Sequence, residues 1–361
     1  MAPSRVAFSD VIDGWAAEGP LVHYRTHFDV LDELTGGGPV FGTRWYVMGA
    51  PDACKTLFLS MLANVWSATG LIVGMLAVDE EPADLAQRFI QRMPMPNSTG
   101  FFQRVHCEER EEHVLALMRQ ATAEVNVVFY GPEWTIEGAA GDLAEFCKER
   151  NKRGALMVDS VQTVECESVR AEREVALREK ITANAKAIRD VATKLRLIVV
   201  ATSEMNRAAY SAVGRSEQND MAAAKESGAI EYSARVMLAL RVATEEEDCI
   251  EVKVIKNKHG RSFPAAEPFY LALDRARQTL LPRDAPEGAE SVSLVEACAT
   301  AVAKAGPAGI FTEGVRKSVK SGAAQVVAAL HKAQANGLIR RTGAKSPWTL
   351  CDLDPDSDEF P

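Results

Sequence analysis

The sequence predicts an α/β protein with a mainly parallel sheet, followed by a small basic unit near its carboxyl end. Three observations carry that expectation. Between Trp45 and Leu273 short apolar runs alternate with amphipathic stretches, as strands alternate with the helices that cover them. A glycine-led turn containing Lys55-Thr56 joins the first run to an apolar helix. A break with two prolines and a glycine, at 282–288, then ends the alternation.

The strand candidates are Trp45–Met48, Leu71–Ala77, Val125–Phe129, Ala155–Val158, Ile198–Ala201, Val236–Ala239 and Ile250–Ile255. Leu57–Trp66, Ala83–Met93, Ala139–Arg150 and Arg173–Leu195 carry the helical patterns between them. The last runs lie closer together, which predicts a small antiparallel addition at one sheet edge. Beyond the break, Ser291–Lys304, Thr312–Val319 and Gly322–Asn336 read as helices, and Leu338–Arg341 and Trp348–Leu350 as short strands around a turn. Three helices and a hairpin describe a winged helix. The predicted division is an amino-terminal extension (1–27), an α/β domain (28–281), a linker (282–288), a winged helix (289–350) and an acidic tail (351–361).

Composition narrows the class. The 361 residues are 47% hydrophobic and 25% charged, the proportions of an ordinary globular chain. A formal charge of −9 excludes a uniformly basic surface but not a local basic channel. Seven cysteines without a CxxC pair suit a reducing cytosol better than a disulfide framework. Met1–Phe8 has no signal pattern, and no apolar run is long enough to span a bilayer. The expectation is a cytoplasmic chain without a membrane partner. His106, Cys107 and His113 lack a second ligand pair at zinc spacing, so core or surface places are expected for them.

The chemistry concentrates in three segments. Gly49-Ala50-Pro51-Asp52-Ala53-Cys54-Lys55-Thr56 stands between a strand and a helix, as a P-loop does. Backbone N–H groups and the helix dipole would hold phosphates, Lys55 would reach the β/γ oxygens, and Thr56 would ligate magnesium. Cys54 stands where that pattern expects glycine. Asp159 ends the strand Ala155–Val158, a Walker B position from which a carboxylate holds magnesium through water. Val78-Asp79-Glu80-Glu81 follows the strand Leu71–Ala77 at the same sheet edge as the loop. There Glu80 or Glu81 would align the attacking water, or the acids would simply cap the next helix behind Pro82.

On these residues the chain resembles the RecA-like ATPases of the DnaB, RadA and KaiC group over about residues 28–275. Phe28–Gly38 resembles the group's lead-in to the P-loop, and Val78–Glu81 its acidic motif. Asp159-Ser-Val-Gln162 resembles the Walker B segment with its trailing glutamine. Ser203-Glu-Met-Asn-Arg207 is similar to the sensor of replicative helicases, Glu226-Ser-Gly-Ala-Ile-Glu231 to a stretch typical of DnaB-type helicases, and Lys256-Asn-Lys-His-Gly260 to the motif reaching a neighbour's γ-phosphate. The resemblance implies ATP and Mg2+ as cofactors and a homo-oligomer, with a six-membered ring favoured. Glu204 and Asn206 would sense the γ-phosphate, while Lys256 and Lys258 would act on the adjoining subunit. Two further departures accompany Cys54. Glu204 replaces a glutamine, and Lys258 replaces an arginine finger, keeping the charge but losing the planar fork, with Arg261 near enough to substitute.

DNA is the expected partner. Arg207, Arg215 and Lys225 lie in a polar segment that resembles the strand-binding loop of DnaB-type proteins. A second segment, Val164–Lys180 with Arg170, Arg173 and Arg178, mixes its bases with acids and fits a solvated helix face better. In the winged helix, Lys304, Arg316, Lys317, Lys320, Lys332, Arg340, Arg341 and Lys345 outnumber Glu290, Glu296 and Glu313. Gln325, His331, Lys332 and Gln334 are among the few side chains on its third helix suited to reading bases, so backbone binding without sequence preference is expected. The resemblance implies an ATP-dependent DNA helicase or translocase acting in replication or recombination of a plasmid, phage or mobile element, with replication proteins as further partners. Since only 27 residues precede Phe28, it further implies a compact motor. The departures leave open an ATP-switched DNA-binding or adaptor protein with slow hydrolysis and no unwinding.

Overall fold

A computed structural model describes residues 7–18, 20–96, 100–172, 174–204, 228–243, 248–258, 260–262 and 266–285, and short stretches between 298 and 350. Strands β1 (Arg44–Gly49), β2 (Ile72–Ala77), β3 (Val127–Tyr130), β4 (Gly154–Asp159), β5 (Ile198–Glu204), β6 (Val236–Val242), β7 (Cys249–Asn257), β8 (Phe269–Asp274) and β9 (Thr279–Arg283) form one sheet. Its order is β3-β2-β4-β5-β1-β6-β7-β8-β9. The first six strands in that order are parallel and the last three antiparallel. All seven predicted runs are strands, and the antiparallel edge is present. It is larger than expected, because β8 and β9 extend it. Pro282 and Arg283, placed in the linker by sequence, close β9, where Pro282 pairs with Leu271. A proline is tolerated there because β9 is an edge strand with one ladder to satisfy.

The helices are α1 (Phe8–Glu18), α2 (Asp29–Thr35), α3 (Lys55–Ala68), α4 (Pro82–Arg92), α5 (Arg104–Glu108), α6 (Glu112–Thr122), α7 (Ile136–Glu149), α8 (Glu167–Arg170), α9 (Leu177–Lys194), α10 (Gly228–Ser233) and, after the sheet, α11 (Thr312–Val319). They cover both faces. Leu31 of α2, Phe58, Leu62 and Trp66 of α3, and Leu85 and Phe89 of α4 bury one face with Trp45, Val47 and Val200. Ala140 and Leu143 of α7, Ile188 of α9 and Ile230 of α10 bury the other with Tyr46, Leu156 and Val199. Alternate residues of β1 thus serve opposite cores, so a one-residue slip would exchange every side chain between them. Buried on both sides, β1 lacks the polar alternation of a surface strand.

Two smaller clusters stand apart. Phe102, Cys107, Val114 and Met118 join α5 and α6. His106 lies in a reciprocal cap with Gln103, and His113 lies 3.3 Å from Glu111. Among the described residues no group of three or more His, Cys, Asp and Glu could hold a metal, and six cysteines stand outside any disulfide. In the carboxyl-terminal part, α11 spans the predicted residues. The short strands β10 (Ile339–Arg340) and β11 (Thr349–Leu350) pair antiparallel, and Trp348 is buried with Val302, Val315 and Leu330. No helix among the described residues is long and apolar enough to cross a membrane.

Candidate nucleotide site

The carboxyl end of β1 delivers the loop that the sequence singled out. Gly49 is required by close approach: a Cβ there would stand 2.8 Å from the Leu240 carbonyl oxygen and 3.1 Å from the Ala53 Cβ. Asp52 (φ 63°) and Cys54 (φ 59°) both take the left-handed conformation, and Ala53 is buried between them. Cys54 therefore occupies its glycine-type position at a backbone cost of roughly 1 kcal/mol. No side chain caps the amino end of α3, so its first N–H groups and the helix dipole face the loop, an arrangement that favours an anion.

Lys55 donates from Nζ to the Ala50 carbonyl at 2.6 Å, folding over the loop. Burial pulls its ammonium below the ordinary lysine range, opposed by Glu204, then Asp159 and Asp52. Thr56 Oγ1 donates to Asp159 Oδ2 at 2.5 Å, and Thr202 Oγ1 donates to the other carboxylate oxygen. A hydroxyl and a carboxylate meeting at the sheet edge are hard oxygen donors. Together they suit magnesium, which keeps several of its waters and takes few protein ligands. Thr202 was missed by sequence reasoning, because its place beside Asp159 follows only from the pairing of β4 with β5.

Glu80 and Glu81 differ in setting. Glu81 is exposed at the start of α4, where Pro82 occupies the first turn as expected. Glu80 is partly buried and accepts from Arg88 Nη2 at 2.9 Å through Oε1. Its Oε2 is buried without a hydrogen-bond partner among the described residues. Burial pushes the Glu80 carboxyl above its usual range; Arg88 opposes this and Asp159 adds to it. Arg88 is a second residue the sequence did not flag, one turn and more into α4.

Glu204 is the cross-strand partner of Gly49. Gln162 clamps the end of β5 by donating to Ser203 Oγ at 2.9 Å and to the Glu204 carbonyl at 3.3 Å, and by accepting from the Glu204 N–H at 3.3 Å. The negative charge of Glu204 thus lies in the field of Lys55, which offsets it.

Lys256 and Lys258 are not brought to this loop within the chain. Asn257 pairs with Val236 at the start of β6, and Val236 pairs with Trp45 at the start of β1. They therefore occupy the opposite edge of the sheet, roughly 17 Å away along β1 at about 3.3 Å per residue. Lys256 Nζ donates to the Glu231 carbonyl. Arg261, exposed on the same side, accepts through its carbonyl from Asn257 Nδ2 at 3.1 Å.

Of the DNA-binding candidates, Arg316 is ion-paired with Glu313 at 2.7 Å, and Arg341 lies over the Trp348 ring and donates to the Ser346 carbonyl. Lys317 and Arg340 are exposed. Asn206, Arg207, Arg215, Lys225, Lys320, Lys332 and Lys345 lie outside the described residues. Arg170 holds Glu165 at 3.1 Å and the carbonyls of Pro132, Glu133 and Trp134, a structural use that fits the solvated-helix view of its segment.

A central β1 with a phosphate-type loop at its carboxyl end, an acid-tipped β4 and helices on both faces define a RecA-like α/β core. Residues 24–268 match the family model of the DnaB-like helicase C-terminal domain, and the chain belongs to that family. It is similar to a solved ATPase domain, with 16% identity and a TM-score of 0.60 over 76% of this chain and 96% of that one. It is also similar to "The Structure Of A DnaB-Like Replicative Helicase And Its Interactions With Primase", with 17% identity and a TM-score of 0.60 over 78% and 68% of the two chains. Identities this low speak for the fold. No curated protein matches the chain significantly.

Proposed function

We propose that this protein is a replicative-helicase-type ATPase that moves along DNA as a ring, with ATP bound between subunits. The observation that supports this best is the contact of Thr56 with Asp159. It unites two segments 103 residues apart in sequence beside an uncapped helix end, an arrangement suited to a metal–triphosphate. Lys55 and the loop amides would bind the β- and γ-phosphates. Thr56 and Asp159 would hold magnesium, which supplies charge neutralisation at the phosphate oxygens. Glu80, with one oxygen held by Arg88, would orient water for in-line attack on the γ-phosphorus, releasing ADP and phosphate. Glu204 and Asn206 would sense the γ-phosphate, and a neighbour's Lys256 and Lys258, with Arg261 close by, would complete the site.

Coupling to DNA would run through the clamp of Gln162 on β5, which leads directly into the segment with Arg207, Arg215 and Lys225. Residues 289–350 would act as a basic winged helix, with Arg316, Lys317, Lys320, Lys332, Arg340, Arg341 and Lys345 meeting backbone phosphates. A plasmid, phage or mobile-element replication system in the cytoplasm, with replication proteins as partners, is the setting that fits this reading. The test is strand displacement on a forked DNA with MgATP. Wild-type protein unwinds it and Lys55→Ala does not; failure of both to unwind refutes the motor. Cys54 in a left-handed conformation and Lys258 without a planar fork favour a second reading, an ATP-switched DNA-binding adaptor. Its signature is ATP-dependent DNA binding without displacement.

A further inference from the structure

Arg92, one turn beyond Arg88 on α4, gathers three elements around one guanidinium. Its Nε and Nη2 donate to the Gln278 carbonyl at 3.0 and 2.9 Å. Its Nη1 donates to the Ser60 carbonyl at 3.1 Å, and its Nη2 to Ser60 Oγ at 2.9 Å. Ser60 belongs to α3, the helix that begins with Lys55 and Thr56. Gln278 closes the turn between β8 and β9 in the left-handed conformation (φ 50°). Next to Ser60, Met61 Sδ accepts from the Leu280 N–H at 2.9 Å, so β9 rests on α3 a second time. The turn stands at the loop edge of the sheet, because β8 runs antiparallel to β7, and β7 to β6, which is parallel to β1. Burial raises the Cys54 thiol, opposed by Arg275 of this turn and then by Arg88, as expected if both stand beside the loop.

Stability alone does not call for an arginine here. The guanidinium lies partly buried, 5.4 Å from the centroid of the Phe89 ring, and each of the four hydrogen bonds ends on a neutral oxygen. Burial, and after it the like charge of Arg88, pull it down to about 10, so it stays protonated near neutral pH. A cation buried among neutral oxygens costs more to desolvate than an apolar chain of similar length. What the cation supplies is direction. A planar fork that meets Gln278 through two N–H bonds and Ser60 through two more fixes distance and orientation together, which an ammonium on a flexible stem does not. Arg88 and Arg92 are four residues apart and share one face of α4. Whatever holds Arg92 therefore sets where Arg88 stands, and Arg88 holds one oxygen of Glu80 at 2.9 Å.

We infer that Arg92 is a positioning residue for ATP hydrolysis: it pins α4 to α3 and to the β8–β9 turn, and so keeps Arg88 on the carboxylate that orients water. The inference rests on the proposed ATPase reading. Arg92 acts through Arg88, not by contact with the reacting atoms.

The experiment measures steady-state hydrolysis of MgATP by the full-length chain carrying Arg92→Met, alone and combined with Arg88→Ala, with nucleotide affinity determined separately. Alone, Arg92→Met is expected to lower kcat by about 10-fold while MgATP affinity changes by less than about threefold. Added to Arg88→Ala, the same change is expected to lower kcat by less than about twofold further, because the contact it serves is already gone. An arginine with a merely structural role would cost the same factor in both backgrounds. Arg92→Lys, which keeps the charge, and Ser60→Ala, which keeps the arginine, are expected to lower kcat by about threefold and to lose that effect in the Arg88→Ala background. They carry the test if Arg92→Met does not fold. Folded variants with kcat within about twofold of wild type, or with equal losses in both backgrounds, overturn the inference. Absence of magnesium-dependent hydrolysis by the wild-type chain would instead overturn the ATPase reading, so the two failures are distinguishable.

Discussion

The two edges of the sheet, one at each end of β1, are built on opposite principles. At the carboxyl edge, polar groups find partners within the chain. Thr56 and Thr202 divide the two oxygens of Asp159, Arg88 takes one oxygen of Glu80, and Gln162 ties β4 to the end of β5. At the amino edge, Arg44 donates to the Ser233 carbonyl and Lys256 to the Glu231 carbonyl. One edge joins carboxylates to hydroxyls and a guanidinium, while the other anchors cations on backbone carbonyls. In the proposed reading Lys256 and Lys258 would serve the site of a neighbouring copy, which would tie activity to assembly.

The contrast breaks most readily at Glu80. Glu80→Gln should lower kcat by about 10²–10⁴-fold with nucleotide binding retained. Glu81→Gln, altering an exposed carboxylate, should cost less than about threefold; steady-state kinetics on both variants would check this. Asp159→Asn keeps a hydrogen-bonding partner for Thr56 and removes the charge. It should raise the magnesium concentration needed for tight ATP binding by about 10–100-fold, measured by titrating magnesium at fixed nucleotide.

A pH profile sharpens the same edge. Burial raises the Glu80 carboxyl and Arg88 restrains it, so the acid limb of hydrolysis should lie above the ordinary carboxylate range. Arg88→Ala removes the restraint, so the limb should move to higher pH, with activity lost as pH falls through the raised value. A limb that stays in place would separate Glu80 from the water. The smallest expected effect is at Cys54. Cys54→Gly should raise unfolding stability by about 1 kcal/mol by relieving the left-handed backbone, whereas Cys54→Ala, which keeps a Cβ, should not. Chemical denaturation of the three proteins resolves the difference.

The central strands were legible because burial on both faces leaves uninterrupted apolar runs such as Ile198–Ala201. Pro82 at the first turn of α4 and the span of α11 were legible from capping and periodicity. The β8–β9 hairpin was not, since a half-covered edge strand carrying Pro282 does not show the run of a central strand. At the site, Lys55, Thr56 and Asp159 announced themselves by type and spacing. Arg88 and Thr202 did not, because their partners lie a turn or a strand away, and only the folded arrangement reveals them. The opposition of the two edges is also a product of topology. Nothing in the spacing of Lys256 from Lys55 says that antiparallel β7 carries the former to the far end of β1.

The most direct measurement is a calorimetric titration of MgATP into the wild-type chain and into Lys55→Ala, with and without magnesium. Wild-type protein should bind in a magnesium-dependent manner, and Lys55→Ala should bind about 100-fold more weakly. Affinity that is indifferent both to the metal and to the substitution would contradict a phosphate site at the carboxyl end of β1.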